Sequence, residues 1–167
     1  MRSMRYVLLG ALLCLSVAFA ADKKPNFSGT WNINNEKSVV GEGGHRWNAS
    51  KLTVAQQGNK LSVERLIQRQ DGESTVKDTF TLDGKECDNS SDNRRKISHV
   101  NWLKDTSGIT FTTKSTFERD GNTMETNTVE IWKLTDKASV LSIDNTSTSP
   151  RGECKATYVY DKALPAK

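Results

Sequence analysis

The chain has 167 residues, with 24 basic and 20 acidic side chains and a formal charge of +4. That length suits one domain, and so even a charge balance leaves no electrostatic footprint for nucleic acid. Beyond the first twenty residues no stretch approaches the ~20 consecutive apolar residues of a membrane helix, so no stable membrane insertion is expected.

Residues 1–20 read as a signal peptide. Arg2 and Arg5 form a basic start, residues 6–19 are mostly apolar, and Ala18-Phe19-Ala20 offers a peptidase small residues at the two positions it reads. Cleavage is expected before Ala21, giving an exported protein, periplasmic or extracellular. The rival reading, a lipoprotein anchored through Cys14, is opposed by Leu13, where a lipobox wants a small residue. The remaining domain, 21–167, carries 22 basic and 20 acidic residues and is expected to be a monomer.

Ten short strands follow, from period-2 alternation between glycine-centred turns. The first is 29–34, then a polar loop through Gly43-Gly44-His45 with room for a short helical turn at 35–40. Next come 51–57, 60–69 and 74–82, divided by Gly58-Asn59 and Asp71-Gly72. Asp83-Gly84 leads to 85–88, and a polar loop at 89–94 leads to 95–102. The basic run Arg94-Arg95-Lys96 at that junction reads as solvated. Strands 108–118 and 123–134 flank Asp120-Gly121, and 140–145 and 153–161 complete the series.

Turn chemistry sets the register. With Gly58-Asn59 as a two-residue loop, Val63 faces Val54 and Arg65 faces Leu52. With Asp71-Gly72 as another, Arg65 faces Asp78 and Val63 faces Phe80. Both turns put Leu52, Val54, Gln56, Leu61, Val63, Arg65, Ile67, Val76, Asp78, Phe80 and Leu82 on one face, and a one-residue slip would invert that face. Asp83-Gly84 adds Cys87 opposite Phe80. Ile109, Phe111, Thr113, Ser115 and Phe117 form a second inward set. Their partners across Asp120-Gly121 are Met124, Thr126, Thr128, Glu130, Trp132 and Leu134, although Val129 and Ile131 leave the parity of that strand open. In the last strand Cys154, Ala156, Tyr158 and Tyr160 share a side.

Such a meander hides its edges by closing. The expected fold is all-β: a single antiparallel up-and-down barrel of about 8–10 strands, wide enough to hold a small ligand. A two-sheet sandwich is the alternative, but its crossing connections fit poorly. Cys87 and Cys154 are an even pair in an exported chain and are expected to form a disulfide, two separately buried thiols being the other reading.

Phe27-Ser28-Gly29-Thr30-Trp31-Asn32 resembles the first strand of calycins, the lipocalin and fatty-acid-binding superfamily, in which a Gly-x-Trp plugs the closed end. Tyr158-Val159-Tyr160-Asp161-Lys162 resembles the closing strand of fatty-acid-binding proteins. Residues 26–38, with Glu130-Ile131-Trp132-Lys133-Leu134, are similar to small exported bacterial lipocalin-like proteins of largely unassigned function. The resemblance implies ligand binding inside the barrel. It also has departures. Residues 135–137 lack the tyrosine of the second lipocalin motif, the first loop is short for a helical lid, and Tyr158 stands where fatty-acid-binding proteins carry a carboxylate-binding arginine.

Arg65 and Asp78 are the candidate centre, because two charges on an apolar face need pairing. They are either a self-satisfied ion pair, or a pair whose arginine offers further donors to a ligand, or both exposed. Gln56, Phe80, Thr113, Glu130, Tyr158 and Tyr160 would complete a mixed lining of the kind small-molecule pockets use. Trp31 is expected to plug the floor, and Trp47 and Trp102 to rim an opening or pack half-buried. His45 and His99 lack metal-ligand spacing, and no nucleophile elbow, phosphate loop or dinucleotide fingerprint is present. No metal, cofactor or enzymatic activity is expected. The leading expectation is a binder of a small apolar or amphipathic molecule. The alternative is a secreted or envelope interaction module with a filled core, contacting a macromolecule through loops 35–48, 89–94 and 146–152.

Overall fold

The computed structural model describes residues 24–41, 49–69, 72–119 and 121–164. Residues 1–20, read above as a signal peptide, and His45 and Trp47 lie outside them. Eleven strands follow in chain order: β1 (Gly29–Ile33), β2 (Val39–Val40), β3 (Lys51–Gln57), β4 (Lys60–Arg69), β5 (Gly72–Thr81), β6 (Glu86–Asp88), β7 (Arg95–Trp102), β8 (Gly108–Arg119), β9 (Asn122–Thr135), β10 (Val140–Ser149) and β11 (Gly152–Lys162). The two-residue β2 had no signal in the alternation. It exists because β11 is longer than β1, which pairs with its far end while β2 pairs with Ala156 and Thr157. Residues 146–149, expected in a loop, extend β10 instead, laddered to β11 throughout and to β9 as far as Thr148.

The strands form one antiparallel sheet in the order β5-β4-β3-β1-β11-β10-β9-β8-β7-β6, a nearly closed up-and-down barrel. Gly58 adopts φ +56° at the β3–β4 hairpin, the left-handed value a tight turn asks for. That hairpin has the predicted register, with Arg65 opposite Leu52. The next one does not. Arg69 pairs with Gly72, so Arg65 lies opposite Val76 and Val63 opposite Asp78. β4 ends at Arg69 and β5 begins at Gly72, so the pairing slides by two residues from the expected register. An even slide preserves every face, so Leu52, Val54, Leu61, Val63, Asp78, Phe80 and Leu82 are all buried as expected.

β8 and β9 pair Phe117 with Met124 and Ile109 with Trp132. Their parity is settled: Trp132 is fully buried, whereas Val129 is exposed. The closed end is an aromatic plug. The Phe27 and Trp132 ring centroids lie 6.1 Å apart, Phe111 and Trp132 4.8 Å, and Phe80 and Phe111 5.1 Å, within the range of favourable ring pairs. Trp31 is fully buried there and donates its indole N–H to the Phe27 carbonyl at 3.0 Å, and Trp102 packs half-buried against Phe27.

Among the described residues no backbone ladder joins β5 to β6, so the cylinder has one seam. Side chains close it. Asn89 accepts the Thr79 N–H at 2.8 Å and donates back to the Thr79 carbonyl at 3.1 Å, imitating a neighbouring strand. Cys87 was expected opposite Phe80. It pairs instead with Ser98 of β7 and takes the Thr81 N–H on its sulfur at 3.3 Å. Cys87 and Cys154 are free thiols, correcting the expected disulfide. Their strands, β6 and β11, are separated by four others in the sheet, so they occupy different walls.

Candidate ligand-binding lumen

Above the aromatic plug the barrel encloses a cavity of about 570 Å³, inside the 300–1,000 Å³ range of small-molecule sites. Ala49, Leu52, Ile67, Phe80, Phe111 and Ile143 give it apolar surface. Exposed Arg94, Arg151 and Glu153 also line it, so it opens beside the β10–β11 hairpin and the start of β7.

A chain of four charges runs along its side. Arg65 on β4 donates through Nη1 to Asp78 Oδ2 at 3.0 Å and through Nη2 to Glu130 Oε2 at 3.2 Å. Lys96 on β7 reaches across the seam to the same Asp78 oxygen at 2.6 Å. The Trp132 indole N–H caps Glu130 at 2.9 Å, and the Arg65 guanidinium sits 5.8 Å from the Trp132 ring centroid. Strand alternation explains the placement, since Arg65 follows Leu61 and Val63 on the inward face and Asp78 precedes Phe80. The row is neutral as a whole, which is what makes it tolerable beside hydrocarbon.

The ion pair of the Arg65 alternative is present, and the reading with both residues exposed does not hold. Arg65 uses two of the five N–H groups a guanidinium carries while lining the cavity. Asp78 is 2 % exposed and touches Arg65 and Lys96 rather than the cavity, so it positions those cations. Burial pulls the Lys96 ammonium below its ordinary pKa, and neighbouring Asp78 opposes that shift. Burial raises the Tyr158 phenol, with Cys154 and Glu130 adding to the effect. Tyr160 is raised further, chiefly by burial, and donates to the Ala49 carbonyl at 3.1 Å.

Of the expected lining, Arg65, Phe80, Thr113, Glu130, Tyr158 and Tyr160 border the cavity. Gln56 does not. Its side chain accepts the Phe27 N–H at 2.9 Å and reaches the Pro25 carbonyl, tying down the segment that enters β1. Lys96 was overlooked, because the run Arg94-Arg95-Lys96 reads as solvated. Its signal was parity: Lys96 stands two residues before Ser98 and four before Val100, both fully buried. His99 faces away from this site, with Nδ1 3.0 Å from the Gly84 carbonyl. Among the described residues no three acidic, histidine or cysteine side chains gather as a metal site would require.

No protein-family model matches the sequence, and no curated protein matches it. A solved structure does resemble it: a zebrafish ileal bile acid-binding protein complexed with cholic acid. That likeness spans 82 % of this chain and 98 % of the other, with a TM-score of 0.52 and 12 % identity. The fold is therefore that of a nearly closed antiparallel β-barrel, like the bile acid-binding protein's. At that identity the likeness concerns architecture, and it agrees with the residues that resemble calycins at both ends of the chain. Trp31 is buried at the closed end of the barrel, where the Gly29-Thr30-Trp31 segment suggested a plug.

Proposed function

We propose that this calycin-like protein is an exported carrier that encloses one small amphipathic molecule in its lumen, Arg65 and Lys96 orienting the polar part. The observation that supports this most is the cavity of about 570 Å³ directly beside an arginine that, among the described residues, uses two of its donors. An interaction module would have filled that space with side chains. The zebrafish neighbour was solved holding a small amphipathic molecule, cholic acid, which is compatible with this reading. The outward positions of β3 are Lys51, Thr53, Ala55 and Gln57, unlike the apolar band of a lipid-facing barrel. Export rests on residues 1–20.

Native mass spectrometry of the protein purified from its source tests the reading. A co-purifying small molecule is expected, retained by the wild type and lost from Arg65→Ala. Recovery of an empty barrel bound to another protein would favour the interaction module instead.

A further inference from the structure

The upper lumen has two unlike walls. Ala49, Leu52 and Ile67 make one side aliphatic. The other is a grid of hydroxyls fixed by strand register. One row crosses the sheet as Ser98, Thr113, Thr128 and Ser147, each the direct partner of the next. The row nearer the mouth runs Lys96, Ser115 and Thr126, again partner to partner, with Ser149 beyond them on β10.

Only part of this grid is satisfied internally. Ser98 and Thr113 oxygens lie 2.8 Å apart, and Thr128 and Ser147 oxygens 3.4 Å apart. Ser115 and Thr126 line the cavity and make no side-chain hydrogen bond among the described residues. A cavity meant for a hydrocarbon chain has no use for so many donors and acceptors, each of which costs free energy when a ligand leaves it dry and unpaired. At the mouth stand Arg94 and Arg151, also lining residues. Neither forms a salt bridge among the described residues, and Arg94 rests on the Phe117 ring at 5.5 Å.

We propose, resting on the carrier reading, that the ligand's polar part is an anionic polyhydroxylated group of the sugar-acid type. Its hydroxyls lie against the Thr126, Thr128 and Ser115 grid, its negative charge meets Arg94 and Arg151, and its apolar part points down to Phe80 and Phe111. This orientation places the charge at the mouth. The Arg65, Asp78, Lys96 and Glu130 row then contacts the junction between the two parts.

Three probes with one tail separate the contributions: dodecyl glucuronide, dodecyl glucoside and dodecanoate, titrated below their micellar concentrations by isothermal calorimetry. The glucuronide is expected to bind about tenfold more tightly than either of the others. Thr128→Val, which preserves shape, is expected to weaken the glucuronide and glucoside by about tenfold while leaving dodecanoate unchanged. Replacing Arg94 and Arg151 together by Gln should weaken the glucuronide and spare the glucoside. Dodecanoate binding as tightly as the glucuronide, or Thr128→Val affecting all three alike, would overturn the proposal and leave the carrier reading standing. Failure of all three probes to bind would remove both.

Discussion

Asp78 shows how one side chain can govern a site it does not line. It is buried, accepts from both Arg65 and Lys96, and supplies the negative charge that lets two cations sit beside the lumen. Asp78→Asn keeps the shape and removes the charge. The expected cost is about 3 kcal/mol, measured as a lower urea midpoint, because Lys96 loses its one salt-bridge partner among the described residues. Tyr160 gives a second expectation. Its folded pKa lies above the ordinary 10.0 because of burial. The folded state therefore keeps a proton that the unfolded chain releases, so this contribution is complete below pH 10.0 and lost as pH climbs past it. Denaturation across that range should show stability falling. Tyr160→Phe should flatten the fall while costing about 1 kcal/mol at neutral pH, where the Ala49 carbonyl loses its donor.

At the scale of strands, the faces were legible and the pairing less so. Gly58-Asn59 gave the β3–β4 register directly, because Gly58 supplies the left-handed φ of +56° that a two-residue turn needs. Beside Asp71-Gly72 the ladder pairs Arg69 with Gly72 rather than with Ser74, and two-residue periodicity hid the slide. Val129 and Ile131 kept β9 ambiguous until packing turned Trp132 inward. Lys96 was missed for a related reason: local charge density spoke louder than the burial of Ser98 and Val100 on the same face. The disulfide failed because cysteine count carries no information about which walls the two residues occupy. The seam was invisible for the same reason, since it depends on a side chain replacing a strand. Asn89→Ala should expose its consequence. Losing both bonds to Thr79 is expected to cost about 2 kcal/mol and to speed hydrogen exchange at the Thr79 amide, with little change at β9–β10, where the ladder is continuous.

For the whole molecule, the physical claim is that side chains fill one end of the cylinder and leave the other hollow. The aromatic plug supplies stability; Phe80, Phe111 and Trp132 are all at most 2 % exposed, and burying each contributes on the order of 2–3 kcal/mol. Above them the lining changes to hydroxyls, cations and a few aliphatics, a composition that would be wasteful in a packed core. The calycin resemblance at the two ends of the chain agreed with the barrel architecture that the structure shows. It could not identify most of the lining, because apart from Glu130, Tyr158 and Tyr160 those residues lie outside the motifs that carry the resemblance.

A lumen filled on purpose is the most direct test of this account. Thr113→Trp would project an indole into the cavity from β8 without disturbing the plug. Binding of an environment-sensitive amphipathic dye is expected to be saturable with one site in the wild type and abolished in the variant, while thermal unfolding shows that both are folded. Dye binding of equal strength in a folded Thr113→Trp protein would show that the ligand sits elsewhere, and would contradict a carrier built around this cavity.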